Sequence, residues 1–283
     1  MDITKLRKLQ LAEIEILDEI VRICDQYNIT YYLIAGSLLG AIRHKGFIPW
    51  DDDIDIAMPR EDYNKFKEIC KHELSSAYFL QDSESEPSYW RAYSKVRKNG
   101  TLFEEPSIAH LNVHKGIFVD IFILDHARKQ PEQSFFQFVQ YHLFKLVQVM
   151  IFYKTKGISH KKISLQNFIG SFSFLFRLET LLFLRERIMT INQDRNSPYY
   201  VNIACQYGYK KQTMPKDVYN PPVKVEFEGK YYNAPKNWNY FLNRIYGDYM
   251  KMPPKEKRMN HNTLKILFNL NGEDKVTENE GNT

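Results

Sequence analysis

Apolar positions along residues 3–27 recur at a helical interval, with Leu6, Leu9, Ile14, Leu17, Ile20, Val21 and Cys24 on one stripe and Asn28 as a natural stop. The period then changes. Thr30–Ala35 (TYYLIA) is short and β-rich, which predicts a strand, and Gly36-Ser37 interrupts it before a short helix over Ser37–His44. Lys45–Trp50, which contains Gly46 and Pro49, predicts a loop. Asp53–Met58 (DIDIAM) alternates polar and apolar residues as a strand does, Pro59 ends it, and Arg60–Glu73 is helical. Residues 81–92 are polar and loop-like, and Tyr93–Arg97 and Gly116–Leu124 predict further strands. This order predicts an α/β (α+β) fold, a small mixed sheet covered by helices.

The pattern shifts again over 131–190. Phenylalanine and leucine become dense at 135–144 and 168–184, with Lys154, Lys156, Lys161 and Lys162 between the two blocks. Two or three helices are expected. One reading makes them the core of a helical subdomain; the other rests a helix pair on an anionic membrane face. Arg177 and Glu179 inside the second block argue against a membrane span. Beyond residue 196 the prolines gather, Val223–Phe227 and Lys230–Asn233 flank Glu228-Gly229 as a hairpin, and Trp238–Tyr246 predicts a short helix. The expected organisation is a catalytic core over 1–130, a helical insertion over 131–195 facing membrane or acceptor, a return to the core unit over 196–269, and a frayed tail over 270–283.

Composition narrows the class only a little. The 283 residues are 43% hydrophobic and 26% charged, which excludes global disorder, collagen and coiled coil. A net charge of +5 fits an anionic ligand or surface and is too weak to argue for nucleic acid. Three cysteines, Cys24, Cys70 and Cys205, have no disulfide-framework spacing, and Cys70 with His72 alone is thin evidence for zinc. The first residues lack the basic and apolar regions of a signal peptide, so a cytoplasmic location is expected.

The chemistry concentrates between Gly36 and Ile56. Gly36-Ser37 joins a strand to a helix, where a glycine lets the backbone approach a ligand and a helix N-terminus can face phosphate. Asp51, Asp53 and Asp55 follow at alternate positions, so a strand would place them on one face, with Ile54 and Ile56 on the other. Carboxylates that close repel unless a cation sits between them. Two divalent ions roughly 3.5–4 Å apart would resolve the repulsion and orient a phosphoryl transfer. Oxygen-only ligands select Mg²⁺ or Mn²⁺. A calcium loop starting at Asp51 fails, because Ile56 falls where glycine is required and Asp62 where glutamate is usual. Asp120, alone in the apolar run Gly116–Leu124, needs a partner and is a candidate third ligand. Arg43, His44, Lys95 and Arg97 are candidate phosphate contacts, and His44 is also a candidate general base.

The run GSLLGAIRHKGFIPWDDDIDIAM from Gly36 to Met58, followed by PREDY, resembles the LicD family of phosphocholine-type transferases, with fukutin and fukutin-related protein as distant relatives. The resemblance continues at Lys95-Val96-Arg97, at Gly116–Asp125 and at Tyr246–Arg258, and is weakest over 131–190. It implies a nucleotidyltransferase-like fold related to DNA polymerase β, in which Gly36, Ser37, Asp53, Asp55 and Asp120 take the family's glycine, serine and three-carboxylate positions, with Asp51 and Asp52 extending the acidic run. It also implies CDP-choline as donor, and as acceptor a sugar hydroxyl of lipopolysaccharide, teichoic acid or capsule that is free or lipid-linked. On this reading Asp53, Asp55 and Asp120, with Asp51, hold two Mg²⁺ ions, and Asp120 takes the acceptor's proton. Trp50, Trp90 and Tyr93 are candidates for an aromatic choline cage. A CDP-ribitol or CDP-glycerol donor, and a catalytically silent glycan-binding protein, are the alternatives; no lysine-rich track supports nucleic acid. Peripheral contact with the inner membrane face is the remaining expectation.

Overall fold

A computed structural model describes residues 2–128, 135–156, 165–192, 194–258, 260 and 263–270. Lys161, Lys162 and the tail after residue 270 lie outside them.

The chain opens with helix α1, Ile3–Tyr27. Asp2 caps it by accepting a hydrogen bond from the Lys5 N–H at 2.9 Å, and Asn28 ends it in the left-handed conformation at φ 52°. Leu6, Leu9, Leu17, Ile20 and Cys24 of its expected stripe are buried, while Ile14 and Val21 are only partly buried. Strand β1 (Tyr32–Leu33) and helix α2 (Ala35–His44) follow, then β2 (Asp55–Pro59) and α3 (Arg60–Glu73). β3 (Tyr78–Gln81), β4 (Ser94–Lys98), β5 (Leu102–Glu104) and the long β6 (Phe118–Ala127) complete the first part.

The main sheet runs β1-β2-β6-β4-β3, with β2 parallel to β6 and the other pairs antiparallel. This is the expected mixed α/β sheet. Its central strand carries a split personality set by the two-residue period. Val119, Ile121 and Ile123 are buried toward one face of β6, which packs with α1 and α3. Phe118, Asp120 and Phe122 point the other way, into a cavity.

The middle of the chain is helical: α4 (Phe135–Lys156), α5 (Leu165–Ser171), a 3₁₀ turn over Phe172–Leu175, and α6 (Leu178–Met189). Polar side chains fasten this segment to the sheet. Arg60 forks onto Asp125 at 2.7 and 2.9 Å and reaches Glu186 of α6 at 2.7 Å. Arg185 and Gln148 donate to the Trp90 carbonyl at 2.9 and 2.7 Å.

The chain then returns to the core through β7 (Tyr199–Val201), which pairs with the end of β6, α7 (Tyr209–Gln212), β8 (Thr213–Pro215) and α8 (Lys216–Tyr219). The expected hairpin is β9 (Val223–Phe227) with β10 (Lys230–Ala234), and α9 is Trp238–Tyr246. Tyr219, Phe227, Tyr232 and Phe241 join the same buried cluster as Leu9 and Ile56, so both ends of the chain build one core. A last strand, β11 (Lys265–Leu267), pairs with β5.

Three strands depart most from the sequence expectation. The first strand has only two paired residues because the chain turns into α2 at Ala35. β2 begins at Asp55, not Asp53, and β6 is displaced toward the C-terminus to Phe118–Ala127, where β7 extends its pairing.

Ile121 is fully buried at the centre of this sheet, opposite Ile56 on β2 and Ser94 on β4. Ile121→Ala is expected to cost about 2–5 kcal/mol, from lost burial plus the cavity left behind. Urea unfolding measures this, and a loss below about 1 kcal/mol would contradict the central place given to β6.

Candidate active site

Strand register alone assembles the site. Asp55 on β2 lies directly opposite Asp120 on β6, and Asp120 lies opposite Lys95 on β4. Three ionisable residues therefore form one row across three strands. Lys95 Nζ sits 2.6 Å from Asp120 Oδ1 and 3.6 Å from Glu105, with the Phe118 ring 3.1 Å beneath it. Burial pushes the Asp120 carboxyl up, against the pull of Lys95, and pushes the Lys95 ammonium down.

Asp51, Asp52 and Asp53 precede β2 in an irregular segment. The expectation that Asp51, Asp53 and Asp55 share one strand face is therefore corrected: only Asp55 is in the strand. The cluster forms by another route, in the irregular segment that leads into β2. Each of these three aspartates offers a carboxylate oxygen within 4.8 Å of the others, and Asp52 is fully buried. The Asp120 N–H donates to the Ile54 carbonyl at 2.9 Å and so ties this segment to β6.

Two neighbours hold the segment. Gln10 of α1 donates to the Asp51 carbonyl at 3.0 Å. Gly36 lies so close that a Cβ there would meet Asp51 Oδ2 at 2.7 Å, so a side chain at this position would displace the Asp51 carboxylate. Ala35 beside it holds φ at 48°, a left-handed conformation that costs an alanine about 1–2 kcal/mol. Ser37 accepts the Asp55 N–H on its Oγ at 2.8 Å. Ser37 thus orients Asp55 and does not line the cavity, contrary to its expected phosphate contact.

The cavity measures about 750 Å³, within the range of small-molecule sites. Asp51, Asp52, Asp53, Asp55, Asp120, Lys95 and Gly36 all line it, with Trp50 and Tyr93. Its far wall is built from α9 and the 204–207 segment, where the Tyr207 and Tyr246 hydroxyls lie 3.3 Å apart.

Other expected contacts are placed elsewhere. Arg43 donates to the Tyr249 carbonyl at 2.7 Å and to His44 Nε2 at 2.9 Å, and neither residue lines the cavity. Burial and adjacent Arg43 push His44 down, so it accepts this bond as a neutral ring. Arg97 is fully buried and bonded to Gln81, the Gly116 carbonyl and Glu105, so it braces the sheet. Trp90 packs edge-on against Phe152 of α4, away from the cavity. Strand spacing puts Lys95 and Arg97 on one face, but the longer guanidinium is consumed by the 81–86 and 105 segments before it reaches the site.

Three contributors were not anticipated. Glu13 of α1 is fully buried, and neither carboxylate oxygen has a hydrogen-bond partner. Burial first, then Asp53, Asp52 and Asp51, push its carboxyl well above the usual range. The signal was present: Glu13 stands on the apolar stripe, one turn after Leu9. Glu105 and Arg91 also line the cavity. Lys95, Arg91 and Arg97 outweigh burial and hold Glu105 below its usual value.

Negative charge therefore exceeds positive in this space. The donors are carboxylate oxygens, hard ligands that suit Mg²⁺ or Mn²⁺, and those of Asp51, Asp52 and Asp53 already lie within 4.8 Å of one another. The residues fit a divalent cation.

The family described as LicD/FKTN/FKRP, nucleotidyltransferase domain, matches residues 28–151. The lipopolysaccharide cholinephosphotransferase LicD of Haemophilus influenzae is 31% identical over 266 residues, covering 90% of this chain and 95% of that one. An uncharacterised protein of Rickettsia prowazekii is 31% identical over 138 residues, 49% of this chain and 47% of its own. Human and mouse ribitol 5-phosphate transferase FKRP are each 37% identical over 57 residues, 20% of this chain and 12% of theirs.

The site makes a signed prediction for stability. Burial, Asp53 and Asp120 raise Asp55 well above 3.8, so above that pH the native state holds more protons than the unfolded chain. The metal-free protein should lose stability as pH rises from about 4 upward. Asp55→Asn should flatten that loss and raise the metal-free melting temperature at pH 7.5 by about 2–4 °C, while reducing the further rise given by Mn²⁺. A lower melting temperature with an undiminished Mn²⁺ effect would contradict the site.

Proposed function

The chain belongs to the LicD family of transferases, and on that premise we propose that it transfers phosphocholine from CDP-choline to a hydroxyl of a cell-surface glycan, with release of CMP. Lipopolysaccharide is the first candidate acceptor, since the Haemophilus influenzae relative is a lipopolysaccharide cholinephosphotransferase; teichoic acid and capsule precursors share the needed hydroxyl. Because cytidine diphosphate donors are intracellular, we place the reaction on the cytoplasmic side of the membrane. The observation that carries the reading is the row Asp55–Asp120–Lys95 with the 51–53 segment, set in a cavity large enough for a nucleotide.

In this reaction an acceptor oxygen forms a bond to the phosphocholine phosphorus, and the bond from phosphorus to the pyrophosphate bridging oxygen breaks. Two Mg²⁺ or Mn²⁺ ions, held by Asp53, Asp55 and Asp120 with Asp51 beside them, would supply charge neutralisation along the pyrophosphate. The chain's own residues do the positioning. Ser37 fixes Asp55 and Gln10 fixes the Asp51 backbone. Asp120, on the cavity wall, takes the acceptor proton on its carboxylate. Lys95, 2.6 Å away, stabilises Asp120 between transfers and lends a cation to the phosphate space. Trp50 and Tyr93, both on the cavity wall, remain the aromatic surfaces for a quaternary ammonium. Their faces already meet cations: Arg258 lies 5.3 Å from the Trp50 ring and Arg91 lies 5.6 Å from Tyr93.

The similarity to ribitol 5-phosphate transferases supports CDP-ribitol as the second reading, limited by its 57-residue span. The set of carboxylates weighs against a silent glycan-binding role, because burying them without chemistry to perform is costly.

Calorimetric binding of CDP-choline, CDP-ribitol, CDP-glycerol and CTP, each with Mg²⁺, tests the donor. Preferential, metal-dependent binding of CDP-choline is expected, and Asp53→Asn should lower phosphocholine transfer to lipopolysaccharide by about 10³-fold. Preference for CDP-ribitol would select the second reading, and retained transfer by Asp53→Asn would overturn the carboxylate assignment.

A further inference from the structure

The helical segment carries an outer surface that the transfer reaction does not use. Every exposed phenylalanine among the described residues falls within 135–183, including Phe135 at 73% exposed, Phe138 at 60%, Phe174 at 72% and Phe183 at 63%, and Leu175 beside them is 61% exposed. They come from α4, α5, the 3₁₀ turn and α6, which pack on one another. Exposed apolar surface on that scale marks a contact site.

Charge says what kind of contact. Residues 135–192 hold eight Lys and Arg against two Asp and Glu, a net of +6, so the rest of the chain nets −1 of the total +5. Lys145, Lys154, Lys156, Arg177 and Arg187 are exposed. Several cations lie along aromatic rings of the same surface: Arg128 is 4.6 Å from the Phe136 ring and Lys156 is 5.1 Å from Phe152. An apolar face edged by cations whose stems lie on aromatic rings is the composition of an interfacial membrane surface. A second copy of the chain is a poor occupant, since a two-fold contact would bring the exposed Lys145, Lys154, Lys156, Arg177 and Arg187 of one copy against the same five cations of the other.

We infer that the α4–α6 surface docks on an anionic lipid bilayer, with its phenylalanines at the acyl boundary and its lysines and arginines among the headgroups. α4 is long and apolar enough to cross a membrane, yet 33% of its apolar stretch is buried in the protein. Gln140 donates to the Ile188 carbonyl at 2.7 Å, and Phe144 and Ile151 are buried against α6 and the sheet, so the helix lies on the domain and one face is committed. The opposite face of the segment grips the cavity wall: Arg185 Nη1 donates to the Trp90 and Arg91 carbonyls at 2.9 and 3.0 Å, and Arg91 lines the cavity. Docking would therefore hold one wall of the site at the lipid surface, where a lipid-linked glycan presents its hydroxyls.

The test is co-sedimentation of the full chain with vesicles of phosphatidylglycerol and phosphatidylethanolamine, against vesicles of phosphatidylcholine alone. Binding to the anionic vesicles should be at least about tenfold tighter and should fall steeply in 0.5 M salt, as expected for headgroup electrostatics. The double variant Phe174→Ser, Leu175→Ser should lose about tenfold in vesicle binding. Calorimetric donor binding by the same variant serves as the control for folding and is independent of the docking surface. Equal binding to neutral vesicles, no binding to either, or a wild-type dimer that the variant dissociates would overturn the inference.

Discussion

Like charges placed side by side at the centre of a sheet are the constraint to which the rest of this molecule answers. Parallel pairing of β2 with β6 sets Asp55 beside Asp120, and three more aspartates and Glu13 crowd the same end. Such an arrangement is destabilising in the absence of countercharge. Lys95 supplies one, buried and coupled to Asp120, and Glu105 in turn needs Lys95, Arg91 and Arg97. The cost is met elsewhere, by a core that draws on both ends of the chain and by the buried fork of Arg60 onto Asp125. A left-handed Ala35 is a smaller cost of the same site.

Much of this was legible in the residues. The helix over 3–27, the strand–glycine–helix junction, the alternating DIDIAM strand and the helix after Pro59 follow from periodicity and stop signals, and each matches to within two residues. The lone Asp120 in an apolar strand was legible for the same reason, because a buried carboxylate without purpose is expensive. What was illegible is what depends on side-chain reach. Arg43 and Arg97 have the right chemistry for phosphate, but the Tyr249 carbonyl and the Gln81–Glu105 pocket take them first. Trp90 has the right ring for choline, but the helical segment covers it. Glu13 was legible as an acid on the buried stripe of α1, but its closeness to Asp51, Asp52 and Asp53 comes from tertiary packing that no local pattern contains.

The helical segment shows the two faces of one design. Its inner side is polar and specific, with Arg185, Gln148 and Gln140 each satisfying a carbonyl of another element. Its outer side is apolar and cationic. Density of phenylalanine in the sequence signalled both a core and a surface, and burial separates them: Phe144 is inside, Phe135 and Phe174 are outside.

The central claim is that the carboxylates along β2 and β6 hold a divalent cation. Calorimetric titration of Mn²⁺ into the metal-free chain, and into Asp120→Asn, tests it most directly. The account predicts measurable Mn²⁺ binding by the wild type, weakened at least about tenfold when one carboxylate charge is removed from the ligand set. Equal affinity in the two proteins, or no binding by the wild type, would contradict it.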